Sequence, residues 1–125
     1  MPVRILVVDD SPFLHSLLRV SLRRYCDCEI AHAKNGLEAL SEVEIAEPDL
    51  IFLDINMPVM DGLEALDRLR ERGVAPRIPV VIISTEGSSE DVERGFAAGA
   101  AAYLRKPFQE PELHALLERI LGAAQ

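Results

Sequence analysis

Apolar and polar positions along the chain switch repeatedly between two periods. Short runs dominated by apolar residues fall at 4–8, 28–31, 50–53, 80–83 and 101–104. The first, third and fourth are almost unbroken Val, Ile, Leu and Phe, which is how a parallel strand buried on both faces reads. Each run is followed by a longer segment whose apolar residues recur at helical spacing.

The helical segments carry their own start and stop signals. Ser11-Pro12 offers an N-cap oxygen and a proline at the first helical position, where a missing N–H costs nothing. Leu14, Leu17, Leu18 and Leu22 then form an expected core stripe, and Arg23-Arg24 suit the negative C-terminal end. A second helix is expected after Asn35-Gly36, ending before Pro48. A third begins at Asp61-Gly62, buries Leu63, Leu66 and Leu69, and ends by Gly73. The fourth opens with Ser88-Ser89-Glu90-Asp91, a pattern resembling a capping box, and closes at Gly99. Gly95 lies inside it and costs about 1 kcal/mol relative to alanine. The fifth, after Pro111, has the stripe Leu113, Leu116, Leu117, Ile120 and Leu121.

Five βα units in succession predict an α/β fold, a parallel sheet with helices on both faces. Residues 1–125 read as one domain without linker, repeat or output domain. In such sheets the working site lies beyond the carboxyl ends of the strands, at the topological switch point.

Composition narrows the function. With 49% hydrophobic and 27% charged residues, the chain is an ordinary globular protein and neither disordered nor collagen-like. Asp and Glu outnumber Lys and Arg by 21 to 13, a net charge of −8 that disfavours direct nucleic-acid binding. Apolar stretches such as Ile5-Leu6-Val7-Val8 are far too short to enter a membrane as a span, and Arg4, Asp9 and Asp10 break any secretory signal. A cytoplasmic chain is the expectation. Cys26 and Cys28 have a spacing too short for an unstrained disulfide or a zinc pair, and read as inert packing residues. His15, His32 and His114 share no pattern; Glu38, Glu42, Glu44 and Glu47 read as a solvated helix face.

The strand ends hold the chemistry. Asp9-Asp10 follow the first strand, Asp54 the third, Ser84-Thr85 the fourth and Lys106-Pro107 the fifth. Each alone reads as a polar residue leaving a strand. Together, in the predicted parallel sheet, they would converge in one crevice. Carboxylates about 4 Å apart at an effective dielectric near 20 repel by roughly 4 kcal/mol per pair, and Lys106 supplies only one positive charge. An all-oxygen set with this deficit suits Mg²⁺ and a phosphate held by Lys and hydroxyl. Asp54 is then either a phosphorylated nucleophile or one more metal ligand.

These residues resemble the receiver domains of response regulators, of the single-domain CheY-like kind, from end to end. The resemblance rests on Val7-Val8-Asp9-Asp10-Ser11, Leu53-Asp54-Ile55-Asn56-Met57-Pro58-Val59-Met60-Asp61-Gly62, Ile82-Ile83-Ser84-Thr85-Glu86, and Gly99-Ala100-Ala101-Ala102-Tyr103-Leu104-Arg105-Lys106-Pro107-Phe108. It implies a flavodoxin-like strand order 2-1-3-4-5 and a role in bacterial two-component signalling, with chemotaxis among the candidate pathways. Asp54 would accept a phosphoryl group from a histidine kinase or phosphotransfer protein. Asp10, Asp54 and the carbonyl of Asn56 would bind Mg²⁺ (Mn²⁺ substituting), with Asp9 acting through water. Lys106 and Ser84 would contact phosphate oxygens, and the Lys106–Pro107 bond would be cis. Tyr103 would change rotamer with Ser84 in a switch read on the face of the fourth helix, fifth strand and fifth helix. Asn56 and Glu86 would flank the line of water attack and tune the phosphoryl lifetime. Ser84 stands where threonine is commoner, and Thr85 is bulkier than the usual alanine.

Two other readings compete with this one. A hydrolase resembling the haloacid dehalogenase superfamily wants D-x-D after its first strand, whereas Asp9 and Asp10 are adjacent. A receiver-like module that binds partners without phosphorylation would have no need of the full site.

Overall fold

A computed structural model describes residues 2–84 and 89–122. Strands and helices alternate: β1 (Val3–Val8), α1 (Pro12–Tyr25), β2 (Cys28–Ala33), α2 (Gly36–Ile45), β3 (Leu50–Asp54), α3 (Gly62–Glu71), β4 (Val80–Ser84), α4 (Ser89–Ala97), β5 (Ala102–Arg105) and α5 (Glu110–Leu121). The strands are parallel in the order β2-β1-β3-β4-β5. The expected α/β architecture and strand order both hold. β3 and β4 are buried at every position, as their continuous apolar runs require.

Three helices begin where a side chain can accept an otherwise orphaned N–H. Ser11 Oγ accepts from Leu14 at 3.3 Å, Asn35 Oδ1 from Glu38 at 2.9 Å, and Asp61 Oδ1 from Glu64 at 2.9 Å. Each such cap contributes about 1 kcal/mol. Helix α5 starts at Glu110, a residue before Pro111, so the proline falls in its first turn.

The sheet divides the core into two layers. Leu14, Leu18 and Leu22 of α1 and Leu113, Leu116 and Leu117 of α5 pack on Ile5, Val7, Phe52, Val81 and Ile83. On the other face, α2 and α3 bring Leu40, Val43, Leu63, Leu66 and Leu69 against Leu6, Val8, Ile51, Leu53 and Ile82. One stripe residue departs from expectation. Leu17 is 40% exposed, and Ser21 takes the buried place, donating to Glu110 of α5 at 2.9 Å. The i, i+4, i+8 row Leu14-Leu18-Leu22 alone faces the sheet, and Leu17 lies to its side.

Two glycines are explained by space. A Cβ on Gly62 would lie 2.1 Å from the backbone oxygen of Asp54, so only glycine lets α3 start this close to β3. A Cβ on Gly95 would meet Ile82 Cδ1 at 2.3 Å. The glycine that weakens α4 in the sequence therefore brings that helix close onto β4.

Candidate functional site

The carboxyl ends of β1, β3 and β5 meet at one point. β1 runs directly into Asp9, whose amide donates to Ala33 O at 3.0 Å, which fixes the loop against the end of β2. The Asp9 carboxylate is buried and turned inward: Oδ1 accepts from the amide of Ser11 at 2.7 Å, and Oδ2 receives Lys106 Nζ at 2.7 Å. Asp54 closes β3 and is only 5% exposed. Its Oδ2 lies 3.7 Å from Lys106 Nζ, and its Oδ1 accepts weakly from the Asn56 amide at 3.4 Å. Lys106 is aimed there by the turn after β5, where its amide donates to Ser84 O at 2.8 Å and the Lys106–Pro107 bond is cis, as expected.

Asp9, Asp10 and Asp54 can each offer one oxygen, and these oxygens lie within 4.8 Å of one another. Asp10, unlike its neighbour, is exposed. Burial, followed by the charge of Asp9, pushes the Asp54 carboxyl up to about 6 from its ordinary 3.8; Lys106 and the Asn56 amide only partly oppose this. The site thus holds more negative charge than Lys106 balances. An all-oxygen set with that deficit fits a hard divalent cation.

The remaining expected residues divide between two places. Ser84 ends β4, has no accessible surface, and pairs in register with Arg105. Tyr103 pairs in register with Ile82 and lies partly buried against the α2/α3 core layer. Its hydroxyl is buried without a hydrogen-bond partner among the described residues. Asn56 is exposed just past Asp54. Thr85, Glu86 and Ser88 lie outside the described residues, and with them the expected capping box, the second lifetime-tuning position and the loop after Ser84.

Other expectations are refined. Cys26 and Cys28 are free, and burial with the neighbouring Cys26 pushes the Cys28 thiol up to about 12, which supports an inert reading. Glu44 and Glu47 are exposed but paired, with Arg72 at 2.8 Å and Arg77 at 2.7 Å. The histidines do not all stand apart. His15 Nδ1 and His32 Nδ1 are 2.6 Å apart, and His15 Nε2 lies 2.6 Å from the backbone oxygen of Asp9. Their separation of 17 positions matches no motif, so only the packing of α1 beside β2 reveals the pair. Val59 was likewise unmarked: it adopts φ 70°, in the turn between Asp54 and α3.

Comparison with known proteins agrees with the geometry. The model of the response regulator receiver domain matches residues 5–118. The chain is 36% identical over 124 residues to the chemotaxis protein CheY of Halobacterium salinarum, covering 98% of this chain and 100% of that one. Other curated relatives are longer, and the chain spans 46% and 51% of two of them. The Vibrio cholerae chemotaxis protein CheY4 superposes with a TM-score of 0.88 at 34% identity, over 97% of this chain and 100% of the other. The receiver domain of the sensor histidine kinase PA1611 from Pseudomonas aeruginosa, which holds a magnesium ion in its active-site cleft, gives 0.86 at 29% identity over 98% and 99%. No described helix is long and apolar enough to cross a membrane. With the family match covering both the acidic pair and the lysine turn, the chain belongs to the response regulator receiver domains, the phosphorylation-dependent signalling modules of two-component systems.

Proposed function

We propose that Asp54 is the phospho-acceptor of this receiver, phosphorylated by a histidine kinase or phosphotransfer protein. One observation carries the assignment: Asp54 is a buried strand-end carboxylate with both an ammonium and two further carboxylates around it. Its oxygen attacks the phosphorus in line. A P–O bond forms to Asp54 as the donor's P–N bond breaks, and the electron pair leaves with the imidazole. Small acyl phosphates serve in the same way, with a P–O bond breaking. Lys106, already against Asp9 and Asp54, neutralises charge on the transferring group, and Ser84 donates to one of its oxygens. Asp10, Asp54 and the Asn56 carbonyl, with Asp9 through water, would hold Mg²⁺ or Mn²⁺, which supplies further charge neutralisation.

Hydrolysis reverses the modification when water attacks the phosphorus opposite Asp54. Asn56 and Glu86 are the side chains assigned to tune that step. Readout runs through Ser84 and Tyr103 to the face of α4, β5 and α5, where a downstream protein docks. Residues 1–125 then act as a receiver that signals by contact, and chemotaxis is one pathway open to it.

Phosphotransfer from a labelled kinase tests the acceptor. The parent is expected to take up label with Mg²⁺ and to lose that ability in EDTA, and Asp54→Asn is expected to take up none. Label persisting in Asp54→Asn would overturn the assignment. Ser84→Ala and Tyr103→Ala, trapped with beryllofluoride, are expected to bind the target less tightly than the trapped parent; equal binding removes them from the readout.

A further inference from the structure

The acidic cluster is not the one place where ligand atoms converge. Beside it opens a cavity of about 270 Å³, lined by Asp9, Asp10, His15, Arg19, His32 and Lys34, among others. His15 comes from α1 and His32 from β2, and their Nδ1 atoms face each other at 2.6 Å.

The hydrogen bonds decide which nitrogen carries which proton. His15 Nε2 lies 2.6 Å from the backbone oxygen of Asp9, and a carbonyl only accepts, so Nε2 holds the hydrogen. With both rings neutral, His15 Nδ1 is then a bare lone pair, and His32 Nδ1–H is the donor between them.

An imidazole whose far N–H is tied to a backbone carbonyl, with its other nitrogen facing a second imidazole nitrogen, is oriented as metal-bound histidines are. We infer that His15 and His32 form a second cation site, for a borderline divalent transition ion that imidazole prefers, distinct from the all-carboxylate site. The ion takes the place of the shared hydrogen. His32 moves its proton from Nδ1 to Nε2, so no net proton is released, and both Nδ1 atoms become ligands. At metal–nitrogen distances of about 2.0–2.1 Å and a tetrahedral angle, the nitrogens would stand about 3.3 Å apart. The required opening is under about 1 Å, and His32 can supply it because it is exposed on an edge strand. Asp10 and Glu38 on the cavity wall offset Arg19 and Lys34, and water completes the shell.

Nickel is the probe, because imidazole binds it well and Mg²⁺ does not displace it from nitrogen. In titrations of the intact chain under saturating Mg²⁺, Ni²⁺ is expected to bind one to one. The ring-proton signals of His15 and His32 should broaden away while those of His114, bonded to Ser21 O at 3.1 Å, stay sharp. His32→Gln is expected to weaken binding at least about tenfold. Replacing both cysteines by serine is expected to leave it unchanged. The site is refuted if Ni²⁺ fails to bind with Mg²⁺ present, if His32→Gln binds as the parent does, or if the cysteine replacements remove binding.

Discussion

The two sides of the strand-end crevice are built on different rules. Where β1, β3 and β5 end, the charged groups are already engaged: Lys106 touches Asp9 and reaches Asp54, and Asp9 is held by the Ser11 amide. Towards β4 and β5, Ser84 is fully buried and Tyr103 keeps a buried hydroxyl without a partner among the described residues. Chemistry that works by positioning and charge demands a fixed frame before substrate arrives. A response must instead have two arrangements close in free energy, and a poorly satisfied polar group lowers the cost of leaving the first. The fixed side and the unsettled side meet at Ser84, whose carbonyl holds the Lys106 amide.

Breaking the fixed side should have the largest effect. Lys106→Met removes the ammonium that lies between both buried carboxylates. Phosphorylation by acetyl phosphate is expected to slow by about 10²–10³-fold, the scale of losing one preorganised charge donor. A rate within a factor of a few of the parent would mean that the cation alone supplies the neutralisation.

The charge surplus on this side also sets a pH dependence. Asp54 titrates near 6 in the fold against an ordinary 3.8, so the folded chain binds this proton more tightly than the unfolded one. Its ionisation therefore opposes folding above about pH 6 and has no effect below about pH 4. In EDTA at pH 7.5, Asp54→Asn is expected to exceed the parent in stability by on the order of 2 kcal/mol. That gap should narrow as the pH falls from 7.5 to 4.5 and vanish only below about pH 4. Urea midpoints at pH 4.5, 6 and 7.5 give the measurement, and a pH-independent gap would exclude charge as its cause.

The fixed frame also includes a strained backbone. Val59 holds φ 70°, a region that costs a side-chain-bearing residue about 1–2 kcal/mol, and it is exposed with little packing to lose. Val59→Gly is expected to raise stability by about 1 kcal/mol in thermal or urea unfolding. Slower phosphorylation in the same variant would tie the strain to the placement of Asp54.

The smallest effect belongs to the unsettled side. Tyr103→Phe removes only a hydroxyl that has no partner among the described residues, and should leave stability unchanged or raise it by up to about 1 kcal/mol. A clear loss in the unfolding midpoint would show that the hydroxyl has a partner after all.

Much of this was legible in the chain because it is local or periodic. Continuous apolar runs mark β3 and β4, and Ser11, Asn35 and Asp61 mark helix starts by chemistry confined to a few residues. The strand-end carboxylates and Lys106 could be placed because a parallel sheet brings its strand ends together whatever the intervening sequence. Facing relations between separate elements were not legible. The approach of His15 to His32 depends on the rotation of α1 against the edge of the sheet, and the exposure of Leu17 on the same rotation. Val59 escaped notice because nothing in a valine announces a left-handed backbone. Gly95 had a visible cost, but its reason, the nearness of Ile82, needed the packing of α4 on β4.

The place of β2 at the border of the sheet has a consequence for how the molecule behaves in a crowd. Its inner side is hydrogen-bonded to β1, while its outer side is an open ladder of the kind that recruits other chains. The strand reads Cys-Glu-Ile-Ala-His-Ala, and its two conspicuously polar members, Glu29 and His32, are the ones turned to solvent. Without them this border would be a short, uncharged, apolar ribbon suited to stacking on its own copies. The same imidazole that faces His15 is thus also one of the two polar side chains that interrupt this apolar border.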